Sequence, residues 1–404
     1  MNLQDYYSWW QRGDLCYRQN QLIFAGRGVQ QLADQFGTPS FVYSSTRVRD
    51  NLVRLHAALN DAGMAGRFTL HYAMKANRFA PLLTFIKQTG LCGIDACSPA
   101  EIEHAASCGF SPEEISFTAS SLSSRDLDLL ARYDGLFMDC DSIHAIHRWG
   151  MLKPGSQIGL RVNPAMGIGR ANNDKLQYAG EVTTKFGIYW PQFAQALDVA
   201  KDYGLQVSKI HFHTGCGYLT AQLGQLEQII AHCFRFIEAA GTVEKVNIGG
   251  GLGVPHLPGE QPLDLTQWAK VLKGQFGSRN LHLEIEPGDY IVKDAGLLLL
   301  EKTFVEQKQT TTFVGVDAGF NIAPEPAYYS LPFQPLPLHY DQEECSPKTV
   351  VGNINEALDV WYTDVPLPEL DEHKYLALIN AGAYSASMAS NHCMRGPFKE
   401  FLLF

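Results

Sequence analysis

The chain has 404 residues with a formal net charge of −10, and 46% of them are hydrophobic, which allows two or three domains around a sizeable core. The acidic balance, without any dense run of Lys and Arg, leaves no electrostatic footprint for nucleic acid or an anionic membrane surface. No stretch reaches the ~20 apolar residues that span a bilayer. The opening MNLQDYYSWWQRGD also lacks the charged-then-apolar order of a secretory signal, so a cytoplasmic protein is expected.

In chain order, residues 1–40 contain CYRQNQLIFAG, a strand-like run expected to join a β-rich domain formed later in the chain. From Phe41 to Pro287 short apolar runs recur: FVYS, TLHYAMKA, GIDACS, ISFTAS, LFMDCD, IGLRVNP, KIHFHTG, KVNIGGG and LHLEIEP. Between most of them lie segments such as WPQFAQALDVAKDYG and QLEQIIAHCFRFIEAAG, with apolar residues at helical spacing. Strand and helix in alternation predict parallel strands with right-handed crossovers. Eight or so such units fit an α/β fold of the (β/α)8 TIM barrel type over residues 41–287. Residues 288–404 change texture, with strand-like runs (LLLLEKTFVEQ, TTFVGVD, KTVVGN, KYLALINAG) between Pro- and Gly-bearing turns, and predict a C-terminal β-rich domain. Within it, 324–348 reads as a long loop. Nine cysteines, odd in number and without a CxxC, are expected to be reduced, and no metal site is expected.

Residues with chemical use cluster at the ends of the apolar runs, where a barrel places its active site. Period-2 alternation in TLHYAMKAN puts His71, Ala73 and Lys75 on one face. A lysine in such a strand either snorkels to the rim or serves as a Schiff-base amine whose pKa burial lowers. KIHFHTG places His211 and His213 together, where a core role is the ordinary alternative. VNIGGGLG offers bare backbone N–H groups that can cradle a phosphate, or only a tight turn. Glu286 in IEPG can pair with a protonated ring nitrogen or with an arginine. A lysine, a stacking imidazole, a phosphate cradle and an acid together make the parts that hold pyridoxal 5′-phosphate.

YAMKAN, HFHTG, NIGGGLG, IEPG, DAGFN, VVGNINEALD and INAGAYSASMASN follow one another in the order of the motifs of the fold-type III decarboxylases. The chain resembles that family from about Phe41 to Leu403, and within it the diaminopimelate decarboxylases most, with ornithine decarboxylases further off. The resemblance implies an alanine-racemase-like barrel, a C-terminal β-domain, and a homodimer whose sites borrow residues from the partner. It implies that Lys75 carries the cofactor, that His213 stacks on its ring, and that Glu286 keeps the ring nitrogen protonated. It further implies that Gly249, Gly250 and Gly251 bind phosphate, that Arg161 lies close by, and that Tyr384 reaches the phosphate from the second subunit.

Departures from the family pattern fall where substrate is expected. Asp289 follows EPG where the family has an arginine gripping a distal carboxylate, and Glu325 replaces a second arginine. Tyr329 and Glu356 are kept. Acids in place of both arginines disfavour a distal carboxylate and favour a basic or substituted amino acid, unless the acids turn away to pair elsewhere. Asn355 stands where the family has a proton-donating cysteine, and an amide is no general acid. Water, His213, Tyr384 or Cys393 are then the alternative donors. Cys216 replaces a phosphate-side serine. The expected activity is decarboxylation of such an amino acid. The alternatives are a siderophore- or carrier-linked decarboxylase of a biosynthetic cluster, an ordinary diaminopimelate decarboxylase, and a non-catalytic regulatory homologue.

Overall fold

The computed structural model describes residues 3–171, 173–180, 182–341 and 344–404. The chain forms two compact units, one of Leu52–Gly253 with Pro262–Gly288, the other of Met1–Asn51, Val254–Gln261 and Asp289–Phe404.

In the first unit eight strands follow one another: β1 (Phe68–Ala73), β2 (Gly93–Ala96), β3 (Ile115–Ala119), β4 (Phe137–Cys140), β5 (Gln157–Asn163), β6 (Gln206–His211), β7 (Lys245–Asn247) and β8 (His282–Ile285). Each pairs in parallel with the next, and β8 pairs with β1, closing the barrel. Helices connect most of the strands, and three of them start at side-chain caps just past a strand end. Ser98, Ser123 and Ser142 accept the backbone N–H of Glu101, Asp126 and Ala145, respectively.

The side-chain period of two splits every strand. Tyr72, Ile94, Phe117, Met138, Leu160, Ile210, Val246 and Leu283 are fully covered and make one apolar face. The alternate positions are His71, Asp95, Thr118, Asp139, Arg161, Lys209, His211, Asn247 and Glu284, all buried as well. Barrels ordinarily fill their interior with branched apolar layers, whereas this one is lined with charge. Lys209 of β6 bridges Asp139 of β4 at 2.9 Å and Glu284 of β8 at 3.1 Å, three alternate strands meeting across the interior. Gly159 of β5 makes the room. A Cβ there would lie 1.8 Å from Asp139 Oδ1 and 3.0 Å from Lys209 Cε.

The FVYS run, read above as part of the barrel series, lies in the second unit. Ser40–Ser44 pairs with Gly296–Lys308 on one side and Lys399–Leu403 on the other. Its five residues are all buried, and a short buried run carries no mark of the sheet it will join. The thirteen-residue strand Gly296–Lys308 also pairs with Thr311–Val316 and Tyr375–Leu378, and the sheet continues through Ser346–Val351 to Val360–Leu367. CYRQNQLIFAG forms a hairpin in the second unit, Leu15–Arg18 with Gln21–Phe24, which meets the rest of that unit through an isolated bridge from Gln21 to His339. Segment 324–348, expected as a loop, carries the short helix Glu325–Tyr329 and the strands Pro335–Pro337 and Ser346–Val351.

Replacing Gly159 by alanine should destabilise the barrel by roughly 1–3 kcal/mol, because a rigid wall and a buried ion pair meet the new methyl. A thermal melt unchanged from wild type would show that Asp139 and Lys209 move aside without cost.

Candidate active site

The C-terminal ends of β1, β2, β5, β6 and β8 bring together most of the residues singled out above. Strand β1 ends at Ala73, and Lys75 sits in the single 3-10 turn Met74–Ala76 that follows, so it leaves the strand alternation expected for it. Its ammonium lies 3.6 Å from Asp95, and 45% of its side-chain surface is open. Loss of water lowers its pKa, but that loss is incomplete, and Asp95 with more distant Glu286 holds the group above its ordinary value. The lowered amine pKa expected from burial alone is therefore not what these surroundings give. Asp95, which the sequence reading missed, is pushed up to about 7 by burial and by Glu286, against the pull of Lys75.

Glu286 is buried immediately past β8. Its carboxylate accepts from Asn247 Nδ2 at 2.6 Å and Ser116 Oγ at 3.2 Å, and His211 Nε2 lies 3.3 Å away. Burial works against its charge, and His211, Lys75 and Lys209 outweigh it, holding Glu286 well below the usual carboxylate range. Arg161, also buried, stands over the Phe186 ring at 4.7 Å. Burial lowers its pKa while Glu286, Asp141 and Asp95 oppose the shift.

His213 lies two residues beyond the end of β6. Burial, then Lys75 and Arg161, push its pKa well below the usual value and keep the ring neutral. Its Nδ1 accepts the Gly250 N–H at 3.3 Å, which leaves the ring proton on Nε2, facing Cys216 Sγ at 3.6 Å. Tyr178 covers the ring at a centroid distance of 5.1 Å.

The glycine turn serves close approach more than bare donors. The Gly249 N–H is spent on Asn247 Oδ1 at 2.8 Å and that of Gly250 on His213, so two of the three groups expected to be free are engaged. A Cβ at Gly249 would meet His213 Nδ1 at 2.6 Å, and one at Gly250 would meet the Glu286 carbonyl at 2.1 Å. With φ of +69° and +96°, Gly249 and Gly251 also occupy backbone conformations that favour glycine.

Residues of the second unit that the sequence reading expected on the substrate side gather around a lysine it passed over. Lys293 is fully buried, 3.3 Å from Asp289 Oδ1 and hydrogen-bonded to the buried Glu325 carboxylate. The rings of Phe333 and Tyr384 each stand 5.8 Å from its ammonium. The spacing of four between Asp289 and Lys293 was the available signal. Asn355 and Glu356 are exposed, and Glu356 lies 3.3 Å from His392 Nε2. The buried Asp359, accepting from the N–H groups of Phe320 and Ile354, shapes that turn. Cys393 is exposed and Tyr329 half-buried.

An amine with open surface, a neutral imidazole, a turn with no space for a Cβ and a carboxylate held anionic fit pyridoxal phosphate. Comparison with known proteins agrees. The family "Pyridoxal-dependent decarboxylase, pyridoxal binding domain" matches residues 49–293. The diaminopimelate decarboxylase of Methanothermobacter thermautotrophicus is 35% identical over 395 residues, covering 95% of this chain and 90% of that protein. That of Escherichia coli K12 is 31% identical, with coverages of 92% and 90%. Among solved structures, diaminopimelate decarboxylase from Helicobacter pylori complexed with L-lysine superposes with a TM-score of 0.82 at 24% identity, covering 93% and 94% of the two chains. The arginine decarboxylase of Paramecium bursaria Chlorella virus gives 0.80 at 20%, covering 93% and 99%. At those identities the structures speak for the fold alone. The sequence matches go further, and they make this chain a member of the fold-type III pyridoxal-phosphate-dependent decarboxylases, carboxy-lyases that act on amino acids.

Proposed function

We propose that the enzyme decarboxylates an α-amino acid with a basic or substituted distal end rather than meso-diaminopimelate. The observation that carries this reading is the cluster of Asp289, Glu325 and Lys293, two carboxylates against one ammonium. The family pattern puts the first two positions at the distal end of the substrate. Lys293 is no receptor for an incoming anion, since it is fully buried and already held by both acids. A distal carboxylate brought there would be the third anion around one cation, and like-charge juxtaposition costs several kcal/mol. An ammonium, a guanidinium or an uncharged substituent escapes that repulsion. Ordinary diaminopimelate decarboxylation is the second reading, favoured by the names of the relatives.

In this reading Lys75 provides the amine that holds the cofactor, His213 covers one face of its ring, and Glu286 holds its ring nitrogen. Arg161 and the turn Gly249–Gly251 would hold the phosphate, with Tyr384 contributed by a second copy of the chain. Pyridoxal phosphate supplies the electron sink that accepts the pair left by the departing α-carboxylate. The remaining work is the chain's own. His211, Asn247 and Ser116 fix Glu286, the neutral His213 adds no positive charge against the ring face, and Asp95 holds the Lys75 side chain. Asp289, Glu325 and Tyr329 face the distal end, joined by Asn355 and Glu356 from the second copy. The exposure of Asn355 and Glu356 fits residues that complete the site of a neighbour in a homodimer.

Lys75→Ala should remove the absorbance of bound cofactor and lower turnover by at least ~10³-fold, as expected when a nucleophile central to a concerted site is lost; full turnover would end the assignment. Carbon dioxide release should be greater with lysine, ornithine or arginine than with meso-diaminopimelate, by about tenfold for each ~1.4 kcal/mol of repulsion. Asp289→Asn with Glu325→Gln should narrow or reverse that preference by leaving Lys293 free for an anion. Preferential turnover of diaminopimelate by the wild type would return the enzyme to the second reading.

A further inference from the structure

The barrel interior below the candidate site holds more charge than the site uses. Glu286 and His211 form its upper pair, and His211 Nδ1 is 3.8 Å from Asp139, with Thr118 Oγ1 3.2 Å from that same nitrogen. Asp139 in turn holds Lys209, Lys209 holds Glu284, and Glu284 ends the chain of contacts 3.6 Å from the half-exposed Lys245. Lys209 is thus the one fully buried cation of the chain of contacts, standing between two buried carboxylates and over the Phe137 ring at 4.5 Å. His211 and Lys209 are two residues apart on β6, as Glu286 and Glu284 are at the end of β8. The same strand faces therefore present both the upper and the lower pairs.

A fixed internal salt bridge far from solvent is costly and adds little stability over an apolar filling. Here it occupies positions where barrels ordinarily place valine or leucine, and its contacts lead to the carboxylate assigned to the cofactor nitrogen. We propose that Lys209 is a positioning residue for that nitrogen site. It balances Asp139 and Glu284 from inside the barrel, so that the His211–Glu286 pair above them keeps its 3.3 Å contact and Glu286 its negative charge. The inference rests on the assignment of Glu286 to the ring nitrogen, and it is independent of the substrate.

The buried polar and charged groups of the barrel interior and its strand ends set the sign. Lys75 and His71 stand on the β1 side, Asp95 on β2, Ser116 and Thr118 on β3, and Asp139 on β4 with Asp141 just past it. Arg161 belongs to β5, Lys209 and His211 to β6 with His213 just beyond, Asn247 to β7 and Glu284 to β8. His71 is kept neutral, its pKa lowered chiefly by burial, and contributes no compensating charge. Removing the Lys209 ammonium leaves Asp139 and Glu284 unbalanced and makes a proton on Glu286 easier to hold. An acid whose pKa is raised loses its charge at higher pH as pH falls.

The test is a pH titration of the absorbance of bound cofactor, with the dissociation constant of pyridoxal phosphate measured beside it. Lys209→Met should move the acid-side midpoint up by about one pH unit, the size of one charge removed at several ångströms in a partly polar interior. Glu284→Gln, which leaves Lys209 in excess, should move it down. Lys245→Met, removing the solvent-facing cation, should leave it in place. Should Lys209→Met fail to fold, the downward shift of Glu284→Gln carries the inference, and its absence overturns it. Unchanged midpoints in folded Lys209→Met likewise overturn it. Glu286→Gln separates the two levels: no spectral change there defeats the assignment of Glu286, whereas a change there with none at Lys209 defeats this inference alone.

Discussion

An ammonium withdrawn from water is tolerated only where carboxylates meet it, because the penalty for an isolated buried charge is several kcal/mol. Lys209 imposes that condition on the whole barrel. It demands an acid on β4 and another on β8, and both are there at hydrogen-bonding distance. It demands space, and β5 supplies Gly159, where a Cβ would strike Asp139. The charges then cannot be neutralised one at a time, since each removed partner leaves another uncompensated. The polar interior is in this sense a single object, and the site at its upper end inherits its charge.

The second unit repeats the arrangement on a smaller scale. Lys293 is as deeply buried as Lys209 and is likewise held between two acids. There, under the proposed function, the consequence is selectivity. The acids at positions 289 and 325 are neither solvent-facing decoration nor free ligands. They form a cluster of two carboxylates around one buried ammonium. The departure from the family pattern is thus compensated by a buried lysine held between the two acids.

At the strand ends of the barrel the candidate site shows a division of labour. Asp95 keeps Lys75 charged and oriented, while His213 is kept neutral by its burial and by neighbouring cations. Glu286 is kept anionic by His211 and two lysines. Three ionisable groups in one neighbourhood are driven in different directions by their surroundings, which is how one pocket can hold a cofactor carrying both acidic and basic groups. The glycines of the 249–251 turn contribute by absence, letting His213 and the backbone of Glu286 approach to distances no side chain permits.

Local pattern decided a good deal of this. Period-2 apolar runs separated by helical spacing dictate parallel strands and crossovers, and eight of the nine runs became the barrel, because buried alternation and connection handedness leave few other arrangements. Lys75, His213, Glu286 and the glycine turn were legible because each breaks an apolar or turn pattern at a strand end. The tertiary structure decided what sequence separation hides. FVYS has the same buried texture as a barrel strand, and only its partners, more than 250 residues further along the chain, placed it in the other sheet. Lys209 and Asp95 carried no signal of their own in the sequence, and closure of the barrel set acids and amines face to face. Whether Asp289 and Glu325 face substrate or pair elsewhere was open in the sequence, and folding placed Lys293 between them. Sequence determined which groups are buried, because burial follows local periodicity. Which charges they meet depends on long-range closure, and only the fold could decide it.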